Sequence, residues 1–178
     1  RYAEAVECYE ILLSSDTPTA SDIFKYIQIL YYCSYAGDEE KFDRYMDIIE
    51  SLTDSPEIST QVWIRVYTQM IISLFQLKRY EKAFEVVQAA ESLSVNDEWL
   101  LVYKAGVLHK LGRNEEAKEL YEEYLDVCSR NYGQESLKLG LYGIADRAWN
   151  ADAFDPMSSL EWAAGELAPD VADAYVTY

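Results

Sequence analysis

The side chains that bind metals are scarce in this chain of 178 residues. It has a single histidine, His109, and three cysteines, Cys8, Cys33 and Cys128, which lie far apart and form no CxxC pair. A zinc site needs clustered Cys and His, so we expect neither a metal centre nor a cofactor. We expect the thiols to be buried and reduced, which favours a cytoplasmic location. No apolar run approaches the roughly 18 residues that are needed to cross a bilayer.

Residue patterns for catalysis are also missing. No Ser or Cys nucleophile lies at a fixed spacing from His109, and the sequence has neither a Gly-rich phosphate loop nor an HExxH motif. Paired acids such as Glu115-Glu116 fit a solvated helix face better than an acid–base pair. We therefore expect that the chain is not itself an enzyme.

Basic residues are outnumbered by acidic ones. Lys and Arg number 15 against 32 Asp and Glu, which gives a formal net charge of −17. Nucleic acids and anionic membranes bind clustered positive charge, so neither is an expected partner. No basic residue follows Arg147, although six acids do. Solubility explains most of this charge, and an acidic end could also attract a basic partner.

Helical periodicity runs through most of the chain. The first apolar stripe has spacings of three and four and consists of Ala5, Cys8, Tyr9, Leu12 and Leu13. Such spacing places side chains on one face of a helix. Breaks follow at Asp16-Thr17-Pro18, Ala36-Gly37-Asp38, Thr53–Pro56, Lys78-Arg79 and Gly112. Between these breaks we predict helices from Ser21 to Tyr35, around Phe42–Ile49, and at Thr60–Gln76, Tyr80–Leu93, Asp97–Leu111 and Asn114–Cys128.

Two segments of the sequence coincide after a shift of 34 residues. Leu77–Ala83 reads LKRYEKA and Leu111–Ala117 reads LGRNEEA. A fixed period of this length is typical of stacked helical hairpins. The sequence therefore predicts an all-α fold, an α-solenoid of antiparallel helix pairs.

The residues at fixed places in this period resemble those of the tetratricopeptide repeat (TPR). The best-matched unit has Leu101, Ala105, Leu108, Gly112, Ala117 and Tyr121 at those places, and the unit before it has Tyr67, Leu74, Tyr80, Ala83 and Ala90. The resemblance implies that the α-solenoid is right-handed, with a half unit at 1–16 and units at about 21–54, 60–94 and 97–130. It also implies that the chain is a fragment of a longer TPR protein, because the half unit, with Ala5, Tyr9 and Pro18, lacks its first helix.

The array departs from the family pattern in several places. Ile71 and Lys78 replace a small residue and a glycine, and Phe42 replaces an alanine. Phe42 and Ala83 are 41 residues apart, seven more than the period, so the loop near Thr53–Thr60 or its adjoining helices should be longer. Residues 131–178 match the pattern poorly. We expect a divergent helical repeat there, followed by an acidic C-terminal helical cap, or alternatively a junction through Trp149, Phe154 and Trp162 with a further domain.

The resemblance also implies where a ligand would bind. TPR ligands usually lie in the concave groove that the first helix of each unit lines. Transferred position by position, that groove consists of Phe24, Ile27, Tyr31, Tyr35, Arg65, Thr68, Ile72, Phe75, Trp99, Val102 and His109. Aromatic side chains are frequent binding hot spots, although rings in a chain with 16 tyrosines can equally pack between helices.

The expected partner is a protein or peptide with an apolar, helical or basic segment. A single arginine, Arg65, cannot reproduce the clamp with which some TPR domains hold an acidic carboxyl terminus. The main functional hypothesis is a non-catalytic scaffold for protein–protein interaction. The alternatives are self-association, possible through the C-terminal end, and an accessory arm of a larger enzyme such as a glycosyltransferase.

Overall fold

The computed structural model describes residues 1–13, 17–53, 55–93 and 98–132. The regular secondary structure of these residues is helical, with no strand, which confirms the all-α prediction. A short 3₁₀ helix, Ala20–Asp22, leads into the second of its α-helices. These are α1 Tyr2–Ile11, α2 Ile23–Ala36, α3 Glu39–Ser51, α4 Thr60–Gln76, α5 Tyr80–Ser92, α6 Glu98–Lys110 and α7 Asn114–Tyr132.

The helix ends lie close to the predicted ones. The bounds of α4 agree with the prediction, whereas α7 continues four residues past Cys128. The predicted C-terminal cap and the helix before it lie outside the described residues, as do Trp149, Phe154 and Trp162. None of the described helices is both long and apolar enough to span a bilayer.

The chain forms two compact units, Arg1–Ser94 and Val95–Tyr178. In the first unit, α2 packs against α1, α3 and α4, and α4 also packs against α5. In the second unit, α6 packs against α7. The helices that pair through short connections, α2 with α3, α4 with α5 and α6 with α7, are called hairpins below, each with a first and a second helix.

All three hairpins close through the same turn. A residue with left-handed backbone follows each first helix, with φ values of 70° at Gly37, 58° at Lys78 and 76° at Gly112. The next residue donates its N–H to the carbonyl five positions earlier: Asp38 to Cys33 (3.1 Å), Arg79 to Leu74 (2.9 Å) and Arg113 to Leu108 (2.9 Å). This hydrogen bond is that of a Schellman motif, which satisfies the last carbonyls of a helix. The turns therefore repeat in geometry as well as in sequence.

The second helix of each hairpin inserts an equivalent side chain into the core. Phe42, Ala83 and Ala117 each lie five residues after the left-handed residue, and all three have no exposed surface. The first hairpin thus buries a phenylalanine where the other two bury alanine. Its helix pair must accommodate a much larger side chain at that point of contact.

The seven additional residues between Phe42 and Ala83 are divided between a connection and a helix. The connection from α3 to α4 is residues 52–59, three residues longer than that from α5 to α6, residues 93–97. Helix α4 has 17 residues, four more than α6 with 13. The additional turn of α4 begins after Ser59, whose side chain accepts a hydrogen bond from the N–H of Val62. Trp63, in this turn, is buried and its ring lies 5.5 Å from that of Tyr67.

The apolar stripe predicted for α1 is not buried: Cys8 and Leu12 are exposed, and the other members are half-buried. Val6 is the buried residue of this helix, with 2% of its surface accessible, whereas Leu12 is 60% exposed. Cys8 is exposed too, so the prediction of buried thiols is wrong there and confirmed for Cys33. The side chain of Cys128 lies outside the described residues. The difference arises because α1 packs against α2 through its Val6 side and leaves the other side to solvent.

Ion pairs in the first unit link α1 to α3, and α3 to α5 and the residue before it. Glu10 of α1 accepts hydrogen bonds from Lys41 Nζ at 2.9 Å and from the Tyr45 hydroxyl at 3.1 Å, both on α3. Asp43 and Glu50 of α3 pair in turn with Arg79 at 2.5 Å and Lys82 at 3.4 Å. The earlier helix supplies the acid and the later residue supplies the base in all three pairs.

Candidate functional site

The predicted groove residues of α2 lie on one side of that helix and differ in exposure. Phe24 is 47% exposed, whereas Ile27 is buried. Tyr31 and Tyr35 are half-buried, and their ring centroids are 4.7 Å apart. The accessible part of this face is therefore aromatic, with an isoleucine packed beneath it.

The predicted residues of α4 lie on the helix that packs directly against α2. Arg65 is exposed, and Thr68 and Ile72 are half-buried. Phe75 is buried and makes an edge contact with Tyr80 of α5, with ring centroids 5.1 Å apart. The structure thus places the α2 and α4 sets on neighbouring helices, where Arg65 is the accessible charged group and Phe75 packs within its own hairpin.

The predicted residues of α6 belong to the second compact unit. Val102 is buried, and His109 is half-buried with its Nδ1 3.0 Å from the side-chain oxygen of Asn114. The side chain of Trp99 lies outside the described residues. In this unit His109 therefore contacts the residue that opens the second helix of the same hairpin.

Sequence reasoning missed a group of five tyrosines that spans α1 and α2. We call it the tyrosine cluster: Tyr2, Tyr9, Tyr31, Tyr32 and Tyr35. Tyr2 lies 5.0 Å from Tyr35 and 6.4 Å from Tyr32, and Tyr9 lies 5.8 Å from Tyr32, all between ring centroids. Aromatic pairs in such offset and tilted arrangements contribute more than their buried area alone. The Tyr-rich end of α2 was visible in the sequence, but its partners on α1 were not, because nothing local links the two helices.

The tyrosine cluster leaves part of its surface accessible. Tyr2 is 42% exposed, and Tyr31 and Tyr35 belong both to the cluster and to the predicted groove. Next to them in α2, Ser34 is buried and donates its hydroxyl hydrogen bond to the Tyr31 carbonyl at 2.7 Å. A half-exposed patch of tyrosine offers ring faces and hydroxyl groups, although the hydroxyl oxygen of Tyr35 is itself buried. That chemistry suits contact with a peptide or helix better than bond-breaking.

Two buried ionisable groups of the first unit have strongly altered acidity. Burial raises the pKa of the Cys33 thiol to about 11, and the nearby Asp38 carboxylate adds to the effect. Burial, together with the hydrogen bond to Glu10, raises the pKa of Tyr45 to about 12. Both groups are therefore neutral at pH 7, and Cys33 is a poor nucleophile there.

Metal coordination finds no support in the described residues. They contain no group of three or more His, Cys, Asp or Glu side chains that could hold a metal ion. His109, the single histidine, has an amide as its hydrogen-bond partner.

The chain was compared with protein families, curated proteins and solved structures. No protein-family model matches the chain, and neither a curated protein nor a solved structure matches it.

Proposed function

We propose that the protein is a non-catalytic scaffold of TPR-like helix pairs, wound as a right-handed α-solenoid, that binds a peptide or helix of a partner protein. The binding surface is the face of the first helices. The observation that carries this proposal is the accessible aromatic face of α2 beside α4, on which Phe24 is 47% exposed. Large exposed aromatic side chains on a rigid helix supply contact area at a low cost in conformational entropy.

The hairpin geometry supports the scaffold part of the proposal. The left-handed residues Gly37, Lys78 and Gly112 recur at intervals of 41 and 34 residues, and each is followed by the same backbone hydrogen bond. Within the first unit, α2 packs on α4, so one first helix lies directly against the next. Stacked hairpins of this kind produce extended binding surfaces in solenoid proteins.

Charge indicates which partner segments fit. The net charge is −17, and Arg65 is the exposed base in the predicted α4 set. An acidic segment would meet repulsion over most of the surface, whereas a basic or apolar helix would not. The proposed ligand is therefore an amphipathic segment whose apolar side contacts Phe24 and Tyr31.

The test combines capture of partners with direct measurement of affinity. The full chain is immobilised, partners are captured at low and at high salt, and the partners identified by mass spectrometry are then purified. Titration calorimetry compares the wild type with Phe24→Ala and Tyr31→Ala. We expect each substitution to weaken binding at least tenfold while the circular dichroism of the protein stays unchanged.

Gln88→Ala provides the matched control, because Gln88 is exposed on the second helix α5 and lies outside the predicted groove. This variant should bind like the wild type. Equal affinity of Phe24→Ala, Tyr31→Ala and Gln88→Ala for every purified partner would refute the groove. Salt sensitivity separates a charge-steered partner from one that is anchored by aromatic contacts.

A further inference from the structure

The accessible residues of α4 form a single stripe with one charge. Beyond the first two residues of this helix, the exposed and half-buried positions are Val62, Arg65, Thr68, Gln69, Ile72 and Gln76. Spacings of three and four place these residues along one side of the helix, and we call them the α4 stripe. Arg65 carries the charge of the stripe, because α4 contains no other Lys, Arg or His and no Asp or Glu. The stripe is therefore uncharged apart from one guanidinium.

Charge is distributed unequally between the first and second helices of the first two hairpins. Neither α2 nor α4 contains an Asp or Glu, whereas α3 contains five and α5 contains three. Lys25, the base of α2, is paired with the buried carboxylate of Asp22 at 2.5 Å. The carboxylates that would repel an acidic ligand thus lie on other helices, and α2 and α4 carry none of them.

Arg65 differs in its surroundings from the lysines of the second helices. Lys41 pairs with Glu10, and Lys82 pairs with Glu50. Arg65 is exposed and forms no ion pair within the described residues, and its neighbours one turn away in either direction are uncharged. A guanidinium presents five N–H donors in a planar fork that fits a carboxylate. The donors of Arg65 are therefore available to an acceptor on another molecule.

A second donor without an acceptor lies one turn after Arg65. Gln69 is half-buried, and its Nε2 atom is buried without a hydrogen-bond partner in the described part of the chain. An unsatisfied buried donor costs free energy, which an acceptor supplied by a ligand would recover. Side chains four residues apart on a helix are neighbours, so one carboxylate with two oxygens can accept from both residues. The α4 stripe thus favours a ligand that brings an oxygen acceptor.

We propose that the partner segment bound on this surface carries a single Asp or Glu whose side-chain carboxylate pairs with Arg65 and accepts from Gln69. The apolar residues of the segment contact Ile72 and, on the adjacent helix α2, Phe24. This inference rests on the proposed function and specifies the chemistry of its ligand. One arginine can hold one carboxylate through two hydrogen bonds. Further acids on the segment would meet the carboxylates of the other helices, so a polyacidic segment would be repelled.

Selection from a peptide library tests this chemistry before any partner is known. The probe is a phage-displayed library of random peptides, each fused to the coat protein at its C-terminal end, so that a terminal carboxylate cannot contribute. The full chain and its Phe24→Ala and Arg65→Gln variants are parallel targets. We expect the peptides enriched on the wild type to combine one Asp or Glu with several apolar residues. Selection on Arg65→Gln should no longer enrich the acid.

Titration with the enriched peptides, made synthetically, measures the pairing. Replacing the acid of a peptide by its amide should weaken binding to the wild type at least fivefold and leave binding to Arg65→Gln unchanged. Arg65→Lys should fall between the wild type and Arg65→Gln, since lysine keeps the charge but not the fork. Lys78→Gln is the matched control, because it removes one positive charge at an exposed position outside the α4 stripe. This variant should bind like the wild type, and circular dichroism checks that all variants fold.

The outcomes separate this inference from the proposed function. Enriched peptides that require Phe24 but lack an acid would overturn the carboxylate pairing and leave the groove intact. Equal losses of affinity in Arg65→Gln and Lys78→Gln would do the same, because they would show a general effect of charge. Enrichment that is absent on the wild type, or identical on Phe24→Ala, would overturn the groove and the pairing together. Peptides dominated by Lys and Arg would assign the binding to the acidic second helices instead.

Discussion

Lys41 and Lys82 occupy the same position in successive hairpins, four residues after the left-handed residue of the turn, and each reaches back to an acid of an earlier helix, α1 for Lys41 and α3 for Lys82. Lys41 Nζ lies 2.9 Å from Glu10 Oε2, and Lys82 Nζ lies 3.4 Å from Glu50 Oε1. The hydrogen bond to Glu10 raises the pKa of Lys41, whereas for Lys82 the larger cause is its own neighbour Glu85. One position thus links α3 to α1 and α5 to α3.

The two links should differ in strength. Glu10 is 26% exposed and also accepts a hydrogen bond from the Tyr45 hydroxyl, whereas Glu50 is 48% exposed. Solvent screens the second pair more, so we expect a coupling free energy of about 1 kcal/mol for Glu10–Lys41 and about 0.2–0.5 kcal/mol for Glu50–Lys82. Double-mutant cycles with Glu10→Gln and Lys41→Met, and with Glu50→Gln and Lys82→Met, measure both by urea unfolding at pH 7. Equal couplings would contradict this ranking.

Lys78 should be replaceable by glycine with a gain in stability. Its φ of 58° lies in the left-handed region, which costs roughly 1–2 kcal/mol for a residue with a side chain. Glycine removes that strain but gains freedom in the unfolded chain, so the expected increase in unfolding free energy is about 0.5–1 kcal/mol. Urea unfolding of Lys78→Gly measures it.

Gly37→Ala and Gly112→Ala are the matched controls. Nothing lies within 4 Å of a Cβ built at either glycine, so the backbone conformation alone sets the cost. Each should lose about 1 kcal/mol. A loss of stability in Lys78→Gly would show that the lysine side chain makes a contribution larger than the strain.

Stability should fall in alkaline solution as Cys33 ionises in the unfolded chain. The folded state raises the pKa of this thiol from 9.0 to about 11. The resulting stabilisation is fully present below about pH 9 and is lost as the pH rises to about 11, a change of about 2–3 kcal/mol. The measurement is urea unfolding of the wild type and Cys33→Ala between pH 8 and 11.5.

The difference in unfolding free energy between the wild type and Cys33→Ala should shrink across that range. Taking this difference removes the contribution of the other titrating groups, which both proteins share. Tyr45→Phe provides a second comparison, because the pKa of Tyr45 is raised from 10.0 to about 12 and its effect should appear at higher pH. A constant difference between wild type and Cys33→Ala would contradict the altered acidity of the thiol.

Ser73→Ala should stabilise the first unit. Ser73 has no exposed surface, and its hydroxyl oxygen has no hydrogen-bond partner within the described residues. Removing a buried, unsatisfied hydroxyl should raise the unfolding free energy by about 1 kcal/mol. Ser34→Ala is the control, because the Ser34 hydroxyl does have a partner in the Tyr31 carbonyl, and this variant should be neutral or less stable. If Ser73→Ala and Ser34→Ala lower the unfolding free energy by the same amount, the Ser73 hydroxyl has a hydrogen-bond partner in solution.

The sequence predicted the features that depend on local spacing. Thr60–Gln76 was predicted to the residue, and the breaks at Gly37, Lys78 and Gly112 coincide with the left-handed turns. Turn residues and helical periodicity act over a few positions, so a single sequence contains them. The 41-residue interval also indicated extra length, which the structure divides between a connection and a helix.

Features that depend on which helices meet could not be predicted in the same way. Phe24 and Ile27 are three residues apart on one side of α2, yet one is exposed and the other buried. Periodicity alone cannot separate them, because the boundary of a buried stripe depends on the tilt and spacing of neighbouring helices. The tyrosine cluster and the exposure of Leu12 have the same origin, since both follow from the way α1 packs on α2.

The additional turn of α4 shows where this architecture tolerates changes in length. The three extra loop residues and the additional helical turn that contains Trp63 precede Ile64, while the turn at Lys78 keeps the hydrogen bond found in the other hairpins. Insertions at the end of a first helix remote from its turn therefore leave the packing of the hairpin intact. A reporter domain or affinity tag inserted in the exposed Pro56-Glu57 segment should preserve the fold, which makes this loop a practical site for building biosensors from the chain.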